Sequence, residues 1–419
     1  MKTLTFSIFF VIIFLLNNAY SNQFWFSQQT PINTRLITCS FPDSTHGWAA
    51  GMEGKIIYTS NGGINWIEQN SPVNISISCI HFINERIGWG VANNYLETST
   101  AVLSTTNGGL NWTMFYYPDT TNIFTTIYFH DSLNGWMGGT SILRTTNAGA
   151  NWFTTLGSTT PVTDLKFFNS DLGFACGGII GLAGYILKST DKGVNWETRA
   201  VSPEPLNDIF IFDSLNIIAV GGDFEYGVCL AKTTNSGLNW DNHSLSIFGI
   251  PTAVSFRTPQ EGWIALRFTG NFAYTTNSGI DWSEIPSPDS TGIYDITFTD
   301  ENHGWAVGEN GIVLRYDTTN TGLKKIIQNN YITSYYLFQN YPNPFNPVTN
   351  IRFNIPSSSH VTLIIYDALG REVTTLVNEK LSAGSYEAEW NGSSYPSSVY
   401  YYRLTTNEFS DVKKMILIR

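Results

Sequence analysis

The chain repeats one spacing seven times. A Phe is followed seven positions later by an aromatic or aliphatic residue that opens a strand of small residues, usually after a Gly: Phe41/Trp48, Phe82/Trp89, Phe129/Trp136, Phe167/Phe174, Phe210/Ile217, Phe256/Trp263 and Phe298/Trp305. Successive copies lie 38 to 47 residues apart, far beyond any helical period and suited to four short strands with their turns. A four-stranded unit cannot bury its apolar face alone, so copies must stack, and repetition around an axis covers every unit. The spacing predicts an all-β chain whose main body is a seven-bladed β-propeller.

A second repeat runs in phase and reads Ser/Thr-x-Asn/Asp-x-Gly-x-x-Trp. It occurs as Thr59/Asn61/Gly63/Trp66, Thr105/Asn107/Gly109/Trp112, Thr145/Asn147/Gly149/Trp152, Ser189/Asp191/Gly193/Trp196, Thr233/Asn235/Gly237/Trp240 and Thr275/Asn277/Gly279/Trp282. Asn, Asp and Gly tolerate left-handed backbone and local side-chain bonding, so each copy predicts a tight turn whose Trp buries a large surface as the outer strand begins. This is hairpin chemistry rather than catalysis. A seventh copy is incomplete, with Thr318, Asn320 and Gly322 in place but Lys325 where Trp is expected. The missing outer strand is found at the other end of the chain, where Trp25–Pro31 resembles Trp66–Pro72. The N-terminus is therefore expected to complete the last blade and leave no open edge in the ring.

Ahead of the propeller, Lys2 precedes an apolar run from Ile8 to Leu16 and then Ala19-Tyr20-Ser21. The pattern predicts a secretory signal peptide over residues 1–21, cleaved before Asn22 and too short for a lasting membrane anchor. The propeller is expected over 22–323 and a linker over 324–335. From Tyr336 the character changes: three prolines in six residues mark an extended lead-in, and alternating strands follow from Ile351 to Ile418. Residues 336–419 are read as a small antiparallel β-sandwich of Ig-like type.

The run Leu337 to Pro347, with Pro342-Asn343-Pro344-Phe345 at its heart, is followed by Ile365-Tyr366-Asp367-x-Leu369-Gly370, Gly384-Ser385-Tyr386, Val399 to Leu404 and the final Lys414-Met415-x-Leu417. In these motifs the tail closely resembles the C-terminal sorting domain of type IX secretion cargo from Bacteroidota and related phyla. The resemblance implies the type IX machinery as partner, passage across the outer membrane, and release or attachment at the cell surface. The propeller resembles the bacterial neuraminidase repeat (Asp-box) propellers of the photosystem II assembly factor type, on Gly304-Trp305-Ala306-Val307-Gly308-x-x-Gly311 and the turn boxes. That likeness is specific for fold, and one fold hosts many activities.

The 22 Lys and Arg against 33 Asp and Glu, a net charge of −11, argue against nucleic acid and anionic membranes, whose binding rests on clustered basic residues. Cys39, Cys79, Cys176 and Cys229 allow three pairings or four buried thiols. No Cys-x-x-Cys supports zinc, and no cofactor is expected. Arg35, Arg86, Arg144, Arg199, Arg257, Arg267 and Arg315 fall at different blade positions, giving neither a basic patch nor the arginine trio of a sialidase. Glycoside hydrolysis would need two facing carboxylates, and the candidates Glu53, Glu97, Asp119, Asp223, Glu225 and Glu309 include no pair that the sequence selects.

Binding is the stronger reading. The loops joining second to third strands differ most between blades, notably Val91–Ala101, Gly177–Gly184 and Gly221–Gly227, and variation on a rigid scaffold is how loops acquire recognition roles. Glu53, Tyr95, Glu97, Tyr116, Tyr117, Asp223, Phe224, Glu225, Tyr226 and Glu309 are the candidate ligand-binding residues, facing an extracellular protein or glycan. A secreted hydrolase on the same fold and a structural component of the cell surface layer are the alternatives.

Overall fold

The computed structural model describes residues 25–94, 99–117, 122–157, 161–288, 290–317, 323–326, 332–381, 383–393 and 395–418. The expected signal peptide lies outside them. Two compact units divide at Tyr316 and Asp317. Among the described residues the first unit holds seven four-stranded antiparallel sheets, and six take their strands in chain order from inner to outer. Blade 1, for example, consists of Leu36–Ser40, Gly47–Gly51, Ile56–Thr59 and Ile67–Gln69. Blade 7 takes Ile293–Phe298, His303–Gly308 and Val313–Asp317 from the end of the unit and Trp25–Gln28 from its beginning, with Trp25 opposite Tyr316.

The repeated Phe, Gly and Trp have one physical explanation. In six blades the Phe ring lies flat over the Gly: a Cβ at Gly47, Gly88, Gly135, Gly173, Gly262 or Gly304 would stand 2.0 to 2.6 Å from ring atoms of the preceding Phe. In four of these blades the other face of the ring takes the Trp of the neighbouring blade. Trp48 stacks on Phe82 at 3.5 Å, Trp89 on Phe129 at 3.5 Å, Trp136 on Phe167 at 3.8 Å and Trp305 on Phe41 at 3.7 Å. Such aromatic pairs contribute roughly 0.5–1.5 kcal/mol beyond the area they bury.

Blade 5 departs from the expected register. Phe210 is paired with Ile218, and Ile211 with Ile217, whereas in blade 2 Phe82 pairs with Gly88 and His81 with Trp89. Ile211 and Ile218 are therefore the structural counterparts of Phe and Trp, one residue later than Phe210/Ile217. Ile217 carries a side chain where the other blades have Gly, leaving no bed for a ring at 211. Phe210 falls instead in the layer facing the central axis.

In every complete turn box the Ser or Thr hydroxyl oxygen accepts from the Gly amide. The distances are 2.9 Å for Thr59/Gly63, 3.0 Å for Thr105/Gly109, 3.0 Å for Thr145/Gly149, 2.9 Å for Ser189/Gly193, 3.0 Å for Thr233/Gly237 and 3.1 Å for Thr275/Gly279. The Asn or Asp oxygen accepts from the amide just before the Trp, at 3.0 Å for Asn61 and Asn107 and 2.9 Å for Asn147, Asp191, Asn235 and Asn277. The box glycines have φ between 68° and 91°, where any side chain would be strained. Each box Trp then meets its own blade's Phe edge-on: Trp66 and Phe41 at 6.0 Å, Trp112 and Phe82 at 5.7 Å, Trp152 and Phe129 at 6.0 Å, Trp196 and Phe167 at 5.9 Å, Trp282 and Phe256 at 6.0 Å. In blade 5, where Ile211 replaces that Phe, Trp240 packs in the cluster containing Ile211 and Phe174. The seventh box, 318–322, lies outside the described residues.

The innermost strands would expose unpaired backbone groups to the axis, and axial side chains reach across to satisfy them. Ser40 Oγ accepts from the Phe82 amide (2.9 Å), His81 Nε2 donates to the Phe129 carbonyl (2.9 Å), Tyr128 donates to Phe167 (3.3 Å) and Lys166 Nζ to Ile209 (2.7 Å). One layer away, Asp208 Oδ2 accepts from the Val254 amide (2.6 Å) and Asp295 Oδ2 from the Cys39 amide (2.7 Å). Cys39, Cys79, Cys176 and Cys229 are unpaired thiols.

The second unit is a sandwich of two four-stranded sheets. One runs Lys324–Ile326, Gly384–Asn391, Val348–Ile355, Tyr336–Leu337; the other Glu372–Leu381, Ser359–Tyr366, Ser398–Thr405, Ser410–Leu417. Ile351, Phe353 and Ala388 from the first pack with Leu363, Tyr402 and Met415 from the second. Residues 324–326, expected as linker, form an edge strand in which Lys325 pairs with Tyr386, so the segment that failed to supply a propeller Trp is used by the sandwich.

Candidate functional site

The loops joining second to third strands, and those carrying the chain from one blade to the next, share one face of the propeller. In blade 5, Asp223 Oδ1 accepts from the amides of Glu225 (2.8 Å) and Tyr226 (2.9 Å). This fixed turn lifts Phe224 and Tyr226 into solvent, 51% and 60% exposed. Beside it, on the connection from blade 4, Glu204 is only 8% exposed. Burial, and then the nearby charge of Asp223, raise the Glu204 carboxyl above its ordinary value.

Phe224 does not stand alone. Its ring centroid lies 5.2 Å from Phe268 on the blade 6 loop and 6.2 Å from Phe248 on the connection between the two blades. Both are also exposed, 56% and 59%. Phe268 has φ 72°, a left-handed conformation that a bulky residue adopts only under strain. Arg267 covers the same ring, 4.9 Å from its centroid. Three exposed aromatic rings from three loops thus form one apolar surface, with Asp223 and Glu225 flanking Phe224 in its loop and Arg267 over Phe268.

Farther round, Glu309 accepts two bonds from Arg35, at 2.8 Å from Nη2 and 2.9 Å from Nε, and one from the Tyr294 hydroxyl at 2.9 Å. Arg35 also lies over the Tyr294 ring at 4.9 Å, and the charge of Arg267 acts on the same phenol. Ring closure brings Arg35 of blade 1 beside Glu309 and Tyr294 of blade 7. Burial, followed by the bond to Glu309, pushes the Tyr294 phenol up to about 12. It is a stable donor, the opposite of an activated nucleophile.

The other expected binding residues are dispersed. Glu53 is exposed on the blade 1 loop with φ 58°. Tyr116 is exposed on the outer strand of blade 2, while Tyr117 packs edge-on against Phe124 at 5.2 Å and belongs to the wall between blades 2 and 3. Tyr95, Glu97 and Asp119 lie outside the described residues. The structure joins Asp223, Phe224, Glu225 and Tyr226 to Glu204, Phe248 and Phe268, which sequence reasoning missed. The overlooked signal was a bulky aromatic within two residues of a loop Gly, Phe248-Gly249 and Phe268-Thr269-Gly270, in loops too short to stand out by length. Among the described residues no three His, Cys, Asp or Glu side chains form a metal-binding group.

None of the turn-box residues belongs to this surface. The boxes join third to fourth strands and so lie at the opposite face, beside the turns between first and second strands, as the bond from the Gly62 amide to the Thr45 carbonyl (2.7 Å) shows in blade 1. The oxygens of Asn61, Asn107, Asn147, Asp191, Asn235 and Asn277 are spent on their own turns. Gly63, Gly109, Gly149, Gly193, Gly237 and Gly279 supply left-handed backbone. Trp66, Trp112, Trp152, Trp196, Trp240 and Trp282 pack between blades.

In the sandwich the proline-rich lead-in lies against the last strand. Asn343 accepts from the Ile416 amide (3.0 Å) and donates to the Lys414 carbonyl (3.3 Å), while Phe345 exchanges backbone bonds with Ile416 and Ile418. Phe345 is buried against Trp390 at 5.4 Å, Met415 is fully buried, and Gly370 closes the turn held by Asp367 with φ 76°. Pro342, Asn343 and Pro344 themselves are exposed.

Residues 339–418 match the secretion system C-terminal sorting domain family, and residues 17–118 match the photosynthesis system II assembly factor YCF48 family. The photosystem II assembly lipoprotein Ycf48 of Picosynechococcus sp. is 35% identical over 72 residues, which span 16% of this chain and 20% of that relative. A solved structure described as YCF48 bound to D1 peptide is 22% identical, covers 70% of this chain and 97% of its own, and has a TM-score of 0.58. YCF48 from Cyanidioschyzon merolae is 20% identical, covers 71% and 100%, and has a TM-score of 0.56. The structural likeness establishes the propeller fold. The sorting domain implies export through the type IX system to the cell surface or beyond.

Proposed function

We propose, from the premise that this chain joins a YCF48-like propeller domain to a type IX secretion sorting domain, that the protein is an exported, noncatalytic binding module. Its first 21 residues direct the chain across the inner membrane, the tail carries it across the outer one, and the propeller then holds an extracellular protein or glycan on the loop face of blades 5 and 6. The observation that carries this reading is the contact of Phe224 with both Phe248 and Phe268, all three more than half exposed. Three large apolar rings kept together in water, one on a strained backbone, are costly unless another surface covers them.

The chemistry around them favours holding over turnover. Tyr294 is kept protonated, Glu309 is engaged by Arg35 and Tyr294, and Asp223 is tied into its own loop. The peptide present in one YCF48 structure makes peptides a natural first ligand class to test.

The test applies the purified protein to arrays of extracellular glycans and of peptides while monitoring product release. Saturable binding without turnover, weakened at least tenfold by Phe224→Ala and by Phe268→Ala, is the expected result. Turnover would replace this reading with a hydrolase, and binding indifferent to both substitutions would remove the loop face from it.

A further inference from the structure

At the opposite end of the axis from the recognition loops the inner strands finish, and one layer of side chains lines the channel: Ser40, His81, Tyr128, Lys166, Phe210, Ser255 and Thr297, each paired with the residue at the Trp position of its blade. Ser40, His81, Tyr128 and Lys166 each bond to the inner strand of the following blade, and Ser255 Oγ accepts from the Phe298 amide at 3.2 Å. Phe210 has no atom that can do so. At this interruption a cavity of about 360 Å³ opens, at the small end of ligand pockets, which run from ~300 to ~1,000 Å³.

The cavity has two chemically different sides. Phe210 and Phe212, 4.9 Å apart and edge to face, form an apolar wall. Tyr128, Ser255 and Thr297 supply hydroxyls from the other side. Lys166 adds little net charge, because Nζ sits 2.7 Å from Asp208 and 3.1 Å from Asp164. A free anion meets no uncommitted cation there, and the carboxylates a cation would need, Asp164 and Asp208, are engaged by Lys166. An uncharged ring with one apolar face and a hydroxyl-bearing edge satisfies both sides.

We infer that this axial pocket is a binding site for a single pyranose sugar, stacked on the Phe210 ring with Phe212 alongside it and hydrogen-bonded to Ser255 and Thr297. The site is separate from the loop face and does not depend on its role. It exists because blade 5 lacks the Gly that would have placed an aromatic ring at 211 instead of 210.

Saturation-transfer NMR on the purified protein with glucose, galactose and N-acetylglucosamine tests it. Transfer to at least one sugar is expected. Phe210→Ser, which supplies the hydroxyl present at Ser40 and Ser255, and Thr297→Val, which keeps the side-chain shape, should each weaken binding about tenfold. Leu110→Ala, at an exposed turn of blade 2 outside the pocket lining, should leave it unchanged. If Phe210→Ser lowers the thermal midpoint enough to confuse the result, Thr297→Val decides. Absence of transfer to all three sugars overturns the inference, as does parental affinity in both pocket variants.

Discussion

The indole of Trp25 stacks on Phe272 at 5.4 Å with the planes 19° apart, so the first residue of the closing strand is held in the wall between blades 6 and 7. Trp263, Phe298 and Tyr316 meet it edge-on at 5.2 to 6.1 Å, and it is 2% exposed. Truncating a Trp so enclosed typically costs 3–5 kcal/mol, about 4 kcal/mol here, through lost burial and the cavity left behind. Trp25→Ala should therefore lower the propeller's unfolding midpoint in denaturant by far more than a neighbouring exposed substitution such as Ser27→Ala. Equal midpoints would show that the ring closes without this strand.

The Phe-over-Gly bed makes a sharper prediction in blade 5. Ile211→Phe alone puts a ring against the Ile217 side chain and should destabilise by about 1–3 kcal/mol, the usual cost of overpacking. Adding Ile217→Gly recreates the arrangement of the other six blades and should recover most of that loss, despite the intrinsic cost of a strand glycine. A double-mutant cycle by urea unfolding reads the coupling directly. Additive losses would mean that the glycines serve something other than the ring.

The same residues show what the sequence could and could not reveal. The blade count is legible because Phe and Gly belong to one repeated contact, written in six of the seven blades and in four of them completed by the Trp of the neighbouring blade. The turn boxes are legible for the same reason, since each is closed by bonds between residues at most four apart. The register of blade 5 is not, because Phe210 lies the usual seven residues before an aliphatic residue, and only the missing Gly marks the difference. The binding face is partly legible. Asp223 to Tyr226 stand in a conspicuously long loop, whereas Arg35 and Glu309 are 274 positions apart and meet only because the ring closes. Phe248 and Phe268 have ordinary neighbours in sequence and acquire meaning from one another.

Two axial groups should give opposing pH dependences. Burial, opposed by bonds from the Cys39 and Ile296 amides and by Lys166, raises Asp295 from 3.8 to about 6. Between those values the folded chain retains a proton that the unfolded chain releases, so this contribution is present at low pH and lost as pH rises towards 6. Burial lowers His81 from 6.5 to about 4, with Asp164 and Lys166 as the nearby charges. Its contribution is present above 6.5 and lost as pH falls towards 4. The two nearly cancel in the parent. Relative to it, His81→Gln should gain stability as pH falls from about 6.5 to about 4, and Asp295→Asn should lose stability over the same change. Because both side chains are half-buried along an open channel, each difference should be about 1 kcal/mol rather than the full value of the shift. Parallel pH profiles of calorimetric midpoints for all three proteins would contradict both assignments.

In the sandwich, the Tyr402 hydroxyl accepts from the Asn340 amide at 2.8 Å and donates to the Phe338 carbonyl at 2.9 Å, tying the lead-in to a strand of the opposite sheet. Asn343 fastens the next turn of that lead-in to Lys414 and Ile416. Tyr402 is fully buried, and Tyr402→Phe leaves two backbone groups without their partner in an otherwise intact core, a loss of about 1–3 kcal/mol. If the export machinery reads the assembled surface of lead-in and last strand, then Tyr402→Phe and Asn343→Ala should both reduce the exported fraction, although neither alters the exposed prolines. Because Tyr402 and Asn343 both lie within motifs, Thr349→Val separates the readings. Thr349 lies outside them, and its hydroxyl accepts from the Asn340 side chain at 2.9 Å and donates to the Pro342 carbonyl at 2.8 Å, so its loss should reduce export if the surface is read and leave export parental if the motifs are read as a linear string. Immunoblotting of cell-surface and medium fractions separates these outcomes, with the sandwich's thermal midpoint measured alongside to confirm that each substitution loosened the lead-in without unfolding the domain.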